Sequence, residues 1–318
     1  MKEKHIGLAG SEVVVRMKES WANRIAASSV YRYVLRPTLS LLTSDGRTAP
    51  TAVGEKPLRP EIVPVYFPRP IELPEATPEQ KEIVERIKQC SWYHTIELGY
   101  GVRTPGEFDH GPALGHFPLP ESLKGKRCLD VATFDGFWAF EMERRGADEV
   151  VALDIESWLD LDLPPYIIER FKSRGLTGPT GAGFKLAADI LGSRVERRIC
   201  NVYDLSPETF GEFDYVVCSD LLVHLTNPLR ALQNVWSVTK GEAVLAEPYI
   251  AGSTGHGPFV FLSDALDEGR WWHFSHDFLE KAARSGGFTE VVEHSQVDLR
   301  VRYNAAIPAP QVVVRAIK

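Results

Sequence analysis

The segment Arg127-Cys-Leu-Asp-Val-Ala-Thr-Phe-Asp-Gly-Phe-Trp138 sets two carboxylates, Asp130 and Asp135, around a short turn ending at Gly136. An apolar run precedes the turn and a helical pattern follows it, which reads as strand, turn, helix. In doubly wound sheets ligands bind at such turns, where strand carboxyl ends meet helix N-termini. A pyrophosphate cradle wants three glycines, so that phosphate can approach the backbone. Ala132 and Phe134 stand where two of them would be, and the carboxylates repel phosphate. They suit instead a ligand with an ammonium or sulfonium, as S-adenosylmethionine has. Asp154 ends the next apolar run, 24 residues after Asp130. An acid there accepts hydrogen bonds from both hydroxyls of a ribose.

Further positions complete an adenosine site. A third strand ends at Cys200-Asn-Val-Tyr-Asp204, and Asn201, Val202 and Tyr203 are candidates to flank the adenine. A fourth, Phe213–Cys218, runs into Ser219, Asp220 and Leu221, expected below the methionine part. With Trp92, Tyr93, Thr133, Phe137 and Ile155, these form the expected cofactor set. Methyl transfer needs a base only when the acceptor is protonated, and histidine is the side chain poised near neutrality. His94, His224 and His256 are the candidate bases, each set against a structural hydrogen bond. Glu247, ending the fifth strand, reads equally as an acceptor ligand or a loop cap. The four cysteines show no metal-ligand spacing, so no metal is expected.

These residues need a frame. From residue 126 short apolar strands alternate with helices, which implies a mostly parallel sheet covered on both faces. Strands are expected near 126–132, 149–154, 195–201, 213–218 and 242–247, and an antiparallel pair near 289–295 and 311–317. Helices are expected near 136–145, 165–173, 183–191, 227–237 and 275–286. The fold class is therefore α/β, a Rossmann-like doubly wound seven-stranded sheet over residues 76–318. Residues 1–75 form an extension. Spaced apolar positions between 11 and 44 predict one or two amphipathic helices, broken near Pro37. Eight of the 22 prolines fall in residues 48–80 and predict an extended strap. Thr77-Pro78-Glu79-Gln80 then opens a helix with Thr77 as its N-cap.

The stretches "LDVATFDGFWAFEMERRGADEVVALDI" and "DYVVCSDLLVHLTNPLRAL" resemble class I S-adenosylmethionine-dependent methyltransferases. Within them the chain is similar to the branch that includes the bacterial tRNA wobble-uridine carboxymethyltransferase. Trp92-Tyr-His-Thr-Ile-Glu-Leu-Gly99, Thr104-Pro-Gly106, Arg270-Trp-Trp272, Gly287-Phe288 and Ile307-Pro-Ala-Pro310 carry that likeness over roughly residues 80–318. It implies S-adenosylmethionine as cofactor and puts His94 in a cofactor lid. The tRNA enzyme reads a carboxylated cofactor through a Tyr and an Arg; Val223 and Val312 occupy those positions here.

The net charge is −7, the wrong sign for tracking a phosphate backbone. Residues 1–60 are an exception, with ten Lys/Arg against five Asp/Glu, and read as a solvated face or a docking arm. No signal peptide and no apolar run of membrane-spanning length is present, so a cytoplasmic protein is expected. The resulting expectation is an enzyme that methylates a small molecule, plausibly in natural product biosynthesis, with oxygen favoured over nitrogen or carbon. The rivals are a tRNA-modifying methyltransferase and a cofactor-binding protein without methyl transfer. The extension is expected to pack on the catalytic domain or to support a homodimer.

Overall fold

In a computed structural model, residues 2–8, 11–17, 63–71, 76–263 and 269–318 are described. The chain divides into two units, Met1–Arg59 and Pro60–Lys318. In the first, strands β1 (Lys2–Leu8) and β2 (Ser11–Met17) form an antiparallel hairpin. A helix was expected to include residues 11–17. The consecutive Val13, Val14 and Val15 are β-branched, and such side chains fit an extended chain better than a helix. The rest of the expected helices and the strap over residues 48–62 lie outside the described residues.

The second unit opens with β3 (Val65–Tyr66) and α1 (Pro78–Ile87). In α1 the Thr77 hydroxyl accepts from Gln80 N while the Gln80 side chain accepts from Thr77 N, a reciprocal cap. Then follow β4 (Arg127–Val131), α2 (Phe137–Arg144), β5 (Glu149–Asp154), α3 (Pro165–Ser173), α4 (Ala182–Leu191) and β6 (Glu196–Ile199). The chain continues through α5 (Pro207–Phe210), β7 (Phe213–Ser219), α6 (Pro228–Val238) and β8 (Thr239–Pro248). It ends with β9 (Val260–Leu262), β10 (Trp272–Phe274), α7 (Phe278–Gly286), β11 (Glu290–Leu299) and β12 (Pro310–Ile317).

The main sheet has the order β3-β11-β12-β8-β7-β4-β5-β6. Strands β8, β7, β4, β5 and β6 are mutually parallel, and β12 runs antiparallel to both β8 and β11. The expected seven strands are all present; the two-residue β3 extends the edge by pairing with Asp298 and Leu299. Successive residues of the central strands enter opposite cores. Cys128, Ala152 and Val217 pack with α1, α2 and α4, while Leu129, Val151 and Val216 pack with α6 and α7. Both faces are buried, which is why these strands are continuous apolar runs. Since β4 lies between β5 and β7, the chain reverses direction across the sheet at the carboxyl end of β4. That end is where doubly wound sheets bind ligands.

Candidate functional site

The turn after β4 is unusual in its backbone. Ala132 (φ 62°) and Phe134 (φ 51°) are both left-handed, as is Gly136 (φ 96°). Glycine bears this conformation without penalty, whereas a side chain costs about 1–2 kcal/mol per residue. Side chains thus stand at two positions where the backbone has a glycine's shape. Neighbouring interactions hold it. Thr133 N donates to Leu153 O at 2.9 Å, and the Thr133 hydroxyl donates to Asp130 at 2.6 Å. Asp130 also accepts from Ala139 N at 3.1 Å, thereby capping the first turn of α2. Gly136 is required twice over, because a Cβ there would also fall 2.4 Å from the Phe140 ring.

Asp135 is fully buried and reaches backward in the sequence. It accepts from Tyr93 N and His94 N, both at 2.8 Å, and its other oxygen lies 2.6 Å from His94 Nδ1. Segment 92–95 is thus bolted onto the turn. The same segment is clasped from its far side. Thr95 N donates to Phe108 O and Phe108 N to Tyr93 O, both at 2.9 Å. The Thr104 hydroxyl donates to His94 O at 2.7 Å and accepts from Ile96 N at 2.8 Å. Gly106 presses so closely that a Cβ would lie 2.0 Å from the His94 carbonyl carbon. Phe137 stacks on the His94 ring, with centroids 5.1 Å apart and planes 13° apart. Burial disfavours the charged form of His94, but Asp135, with Asp220 and Asp130 beyond it, outweighs this and raises the pKa.

His110 was not among the expected site residues. Its ring is fully buried 4.9 Å from that of His94, among Phe117, Phe137 and Trp138. Neither ring nitrogen has a hydrogen-bond partner among the described residues. Burial, reinforced by the charge on His94, holds its pKa well below the usual value. Only the fold brings these histidines together; no spacing in the sequence marks His110.

The other strand ends complete the mouth. Asp154 pairs with Arg197 Nη2 at 3.1 Å and accepts from Ile155 N at 2.9 Å. The Asn201 side chain caps Tyr203 N at 3.0 Å. The Tyr203 hydroxyl donates to Asp162 and accepts from Asn227 N, so it joins the loops after β5, β6 and β7. Asp220, also left-handed (φ 55°), accepts from the Ser219 hydroxyl at 2.9 Å and from Gln311 Nε2 at 2.7 Å. Burial raises its pKa, and pushes Asp130 up to about 7. Arg270 lies close enough to Asp220, Tyr93 and His224 to influence all three, and its buried Nε has no hydrogen-bond partner among the described residues.

Four expected residues stand apart from the His94 cluster. Glu247 is buried and accepts from Leu221 N, Leu222 N and Val223 N at 2.9, 2.7 and 3.4 Å. It therefore caps the loop after β7, and its oxygens are occupied by backbone. Trp92 donates its indole N–H to Ile87 O and packs against Gly183 in the first core. Val202 is likewise buried in the second core. His256 is exposed on the loop after β8, and its ring is not part of the network joining His94, Asp135 and Asp220. His224 is better placed: its Nδ1 lies 2.7 Å from Gly269 O, and burial pulls its pKa down to about 4. Val223 and Val312 both pack in the apolar core beside Glu247, to which Val312 is the cross-strand partner.

The donor set fits a cationic nucleoside ligand. Three carboxylates, Asp130, Asp135 and Asp220, surround one histidine at the β4 turn, and burial raises two of them toward neutrality. A positive ligand relieves that crowding, and a diphosphate worsens it. An open groove of about 340 Å³, lined by Val84, Ile87, Lys88, Val102 and Arg103, shares no lining residue with this site. Among the described residues no cluster suited to a metal ion occurs, and no helix is long and apolar enough to cross a membrane.

The chain is 31% identical over 111 residues to the magnesium-protoporphyrin O-methyltransferase of Rhodobacter capsulatus, covering 35% of this chain and 38% of that protein. It is 29% identical over 119 residues to the ubiquinone biosynthesis O-methyltransferase of Xanthomonas campestris pv. campestris (strain B100), covering 37% and 41%. The chain thus spans about two-fifths of the length of these curated relatives. The N-terminal domain of EvdMO1 with SAH bound superposes with a TM-score of 0.48 at 19% identity, covering 76% of this chain and 97% of that one. Residues 112–294, more than half of the chain, match the methyltransferase domain family, and the protein belongs to that S-adenosylmethionine-dependent family.

Proposed function

We propose that the protein transfers a methyl group from S-adenosylmethionine to an oxygen of a small-molecule acceptor, with His94 as the base. The observation that carries this reading is the buried 2.6 Å contact between His94 Nδ1 and Asp135. With Nδ1–H donated to the carboxylate, Nε2 is the nitrogen left to take a hydroxyl proton. When bound, the donor supplies an activated methyl carbon with a neutral leaving group, so the protein's task is alignment and proton removal. Asp135 orients the imidazole and stabilises the cation that forms on it. Asp154 is the ribose ligand in this reading, and Asp130 and Asp220 flank the cationic part. Glu247 positions the loop after β7 without touching the acceptor.

The two relatives named above are O-methyltransferases, which favours oxygen. Ordinary S-adenosylmethionine is favoured over a carboxylated form because Val223 and Val312 are buried and apolar. The same reading puts the enzyme in the cytoplasm, in a biosynthetic route to a small metabolite. His224 is a second candidate base, favoured by its Nδ1 contact with Gly269 O.

The pH profile separates the two histidines. His94 must lose its proton to act, and its pKa is raised above 6.5. With His94 as base, kcat/KM rises with pH through a limb above 6.5; with His224 as base the limb lies near 4. His94→Gln is expected to lower kcat by about 10²–10⁴-fold while S-adenosylhomocysteine still binds in calorimetry. An unchanged kcat in this variant rejects the assignment. Absence of any S-adenosylmethionine binding rejects the function.

A further inference from the structure

Phe134 occupies a left-handed backbone position at φ 51°, where glycine is the residue without strain. The turn does not need a side chain there. Nor does core packing, since the ring is only half-buried. A residue kept against its backbone preference at a ligand turn points to a role for the side chain. The ring lies 5.9 Å from Trp158, at 68°, and 6.2 Å from Tyr93, at 66°. These three aromatics come from three separate segments: the clasp before β4, the β4 turn itself, and the loop after β5. They meet at the turn that also carries Asp130 and Asp135.

An aromatic face attracts a cation through the ring quadrupole, and aromatic cages recognise alkylated onium groups in this way. A neutral thioether has no such attraction. The methyl donor and its demethylated product differ in that charge. We infer that Phe134, with Tyr93 and Trp158, forms an aromatic wall that favours the cationic methyl donor over its neutral product. The inference rests on the proposed use of S-adenosylmethionine. It adds two residues outside the expected cofactor set, Phe134 and Trp158, and it assigns product release to loss of the cation–ring attraction.

The test is calorimetry of S-adenosylmethionine and S-adenosylhomocysteine with the full chain and two variants. Phe134→Gly removes the ring and the backbone strain together. Phe134→Leu keeps the left-handed side chain and its apolar bulk but has no aromatic face. Both variants are expected to weaken S-adenosylmethionine binding by about tenfold relative to S-adenosylhomocysteine. Thermal melting controls for folding: Phe134→Gly is expected to melt no lower than the parent, because strain relief offsets the lost ring contacts. An equal loss for both ligands, or for neither, overturns the aromatic selectivity while leaving the proposed donor intact. Failure of the parent chain to bind either ligand overturns both.

Discussion

At the scale of single residues, the site is a set of buried acids whose partners are mostly backbone. Glu247 is the plainest case. Burial, and then the charge of Asp220, push its pKa up to about 8, although three backbone N–H groups oppose the shift. The folded carboxyl therefore holds its proton to about pH 8, and the unfolded one only to about 4.5. Between those values the native state binds more protons, so this residue's contribution to stability falls as pH rises. Glu247→Gln removes that titration. Its melting temperature, measured against the parent, is expected to gain between pH 5 and pH 8 and to level off above. Glu247→Ala leaves three N–H groups without their acceptor and is expected to lose at least about 2 kcal/mol in denaturant unfolding. Sequence reading marked Glu247 and Asp135 as site acids. It could not show that their partners are main-chain groups some 25 and 41 residues away.

At the scale of elements, the clasp of residues 92–108 explains motifs that otherwise look unconnected. Thr104 holds the His94 carbonyl and the Ile96 amide, and Gly106 lets the two chains approach. Gly106→Ala places a methyl group inside the His94 backbone. The two segments must separate, at a cost of about 1–3 kcal/mol, and His94 is displaced from Asp135. The expected result is a lower melting temperature together with a drop in kcat, while Ala substitution at Gly115, where a Cβ meets nothing within 4 Å, leaves both unchanged. Circular dichroism melts and initial rates on the two variants check this. The strands and helices themselves were legible, because two-sided burial writes continuous apolar runs and helix faces write a 3.6-residue period. The clasp was not, since it is built from isolated bridges without periodicity.

At the scale of the whole molecule, the question is where the catalytic unit begins. The expected boundary lies at residue 75, and contacts group the residues from Pro60 onward with the sheet. Tyr66 lies alongside β11, and Arg69 makes a two-pronged contact with buried Asp109 at 2.8 and 2.9 Å. Asp109 adjoins His110 in sequence. A chain starting at residue 76 strands a buried carboxylate, which costs about 3 kcal/mol. A chain starting at Pro60 is therefore expected to melt at a clearly higher temperature than one starting at residue 76, and to bind S-adenosylhomocysteine more tightly. Equal melting of the two supports the boundary at 75.

The amino-acid sequence by itself determined the mostly parallel sheet, the antiparallel pair that follows it, and the acids that close β4, β5 and β7. Those features are local: apolar period, turn composition and the spacing from one strand end to the next all lie within a few dozen residues. The tertiary structure alone decided which acids stay available and which are occupied. Asp135 and Glu247 are taken up by backbone amides, His110 is brought beside His94, and Phe134 keeps a glycine's conformation between two other rings. Each of these depends on contacts between distant segments at the carboxyl edge of the sheet, where side-chain type sets the chemistry and only the packing of loops sets the partner.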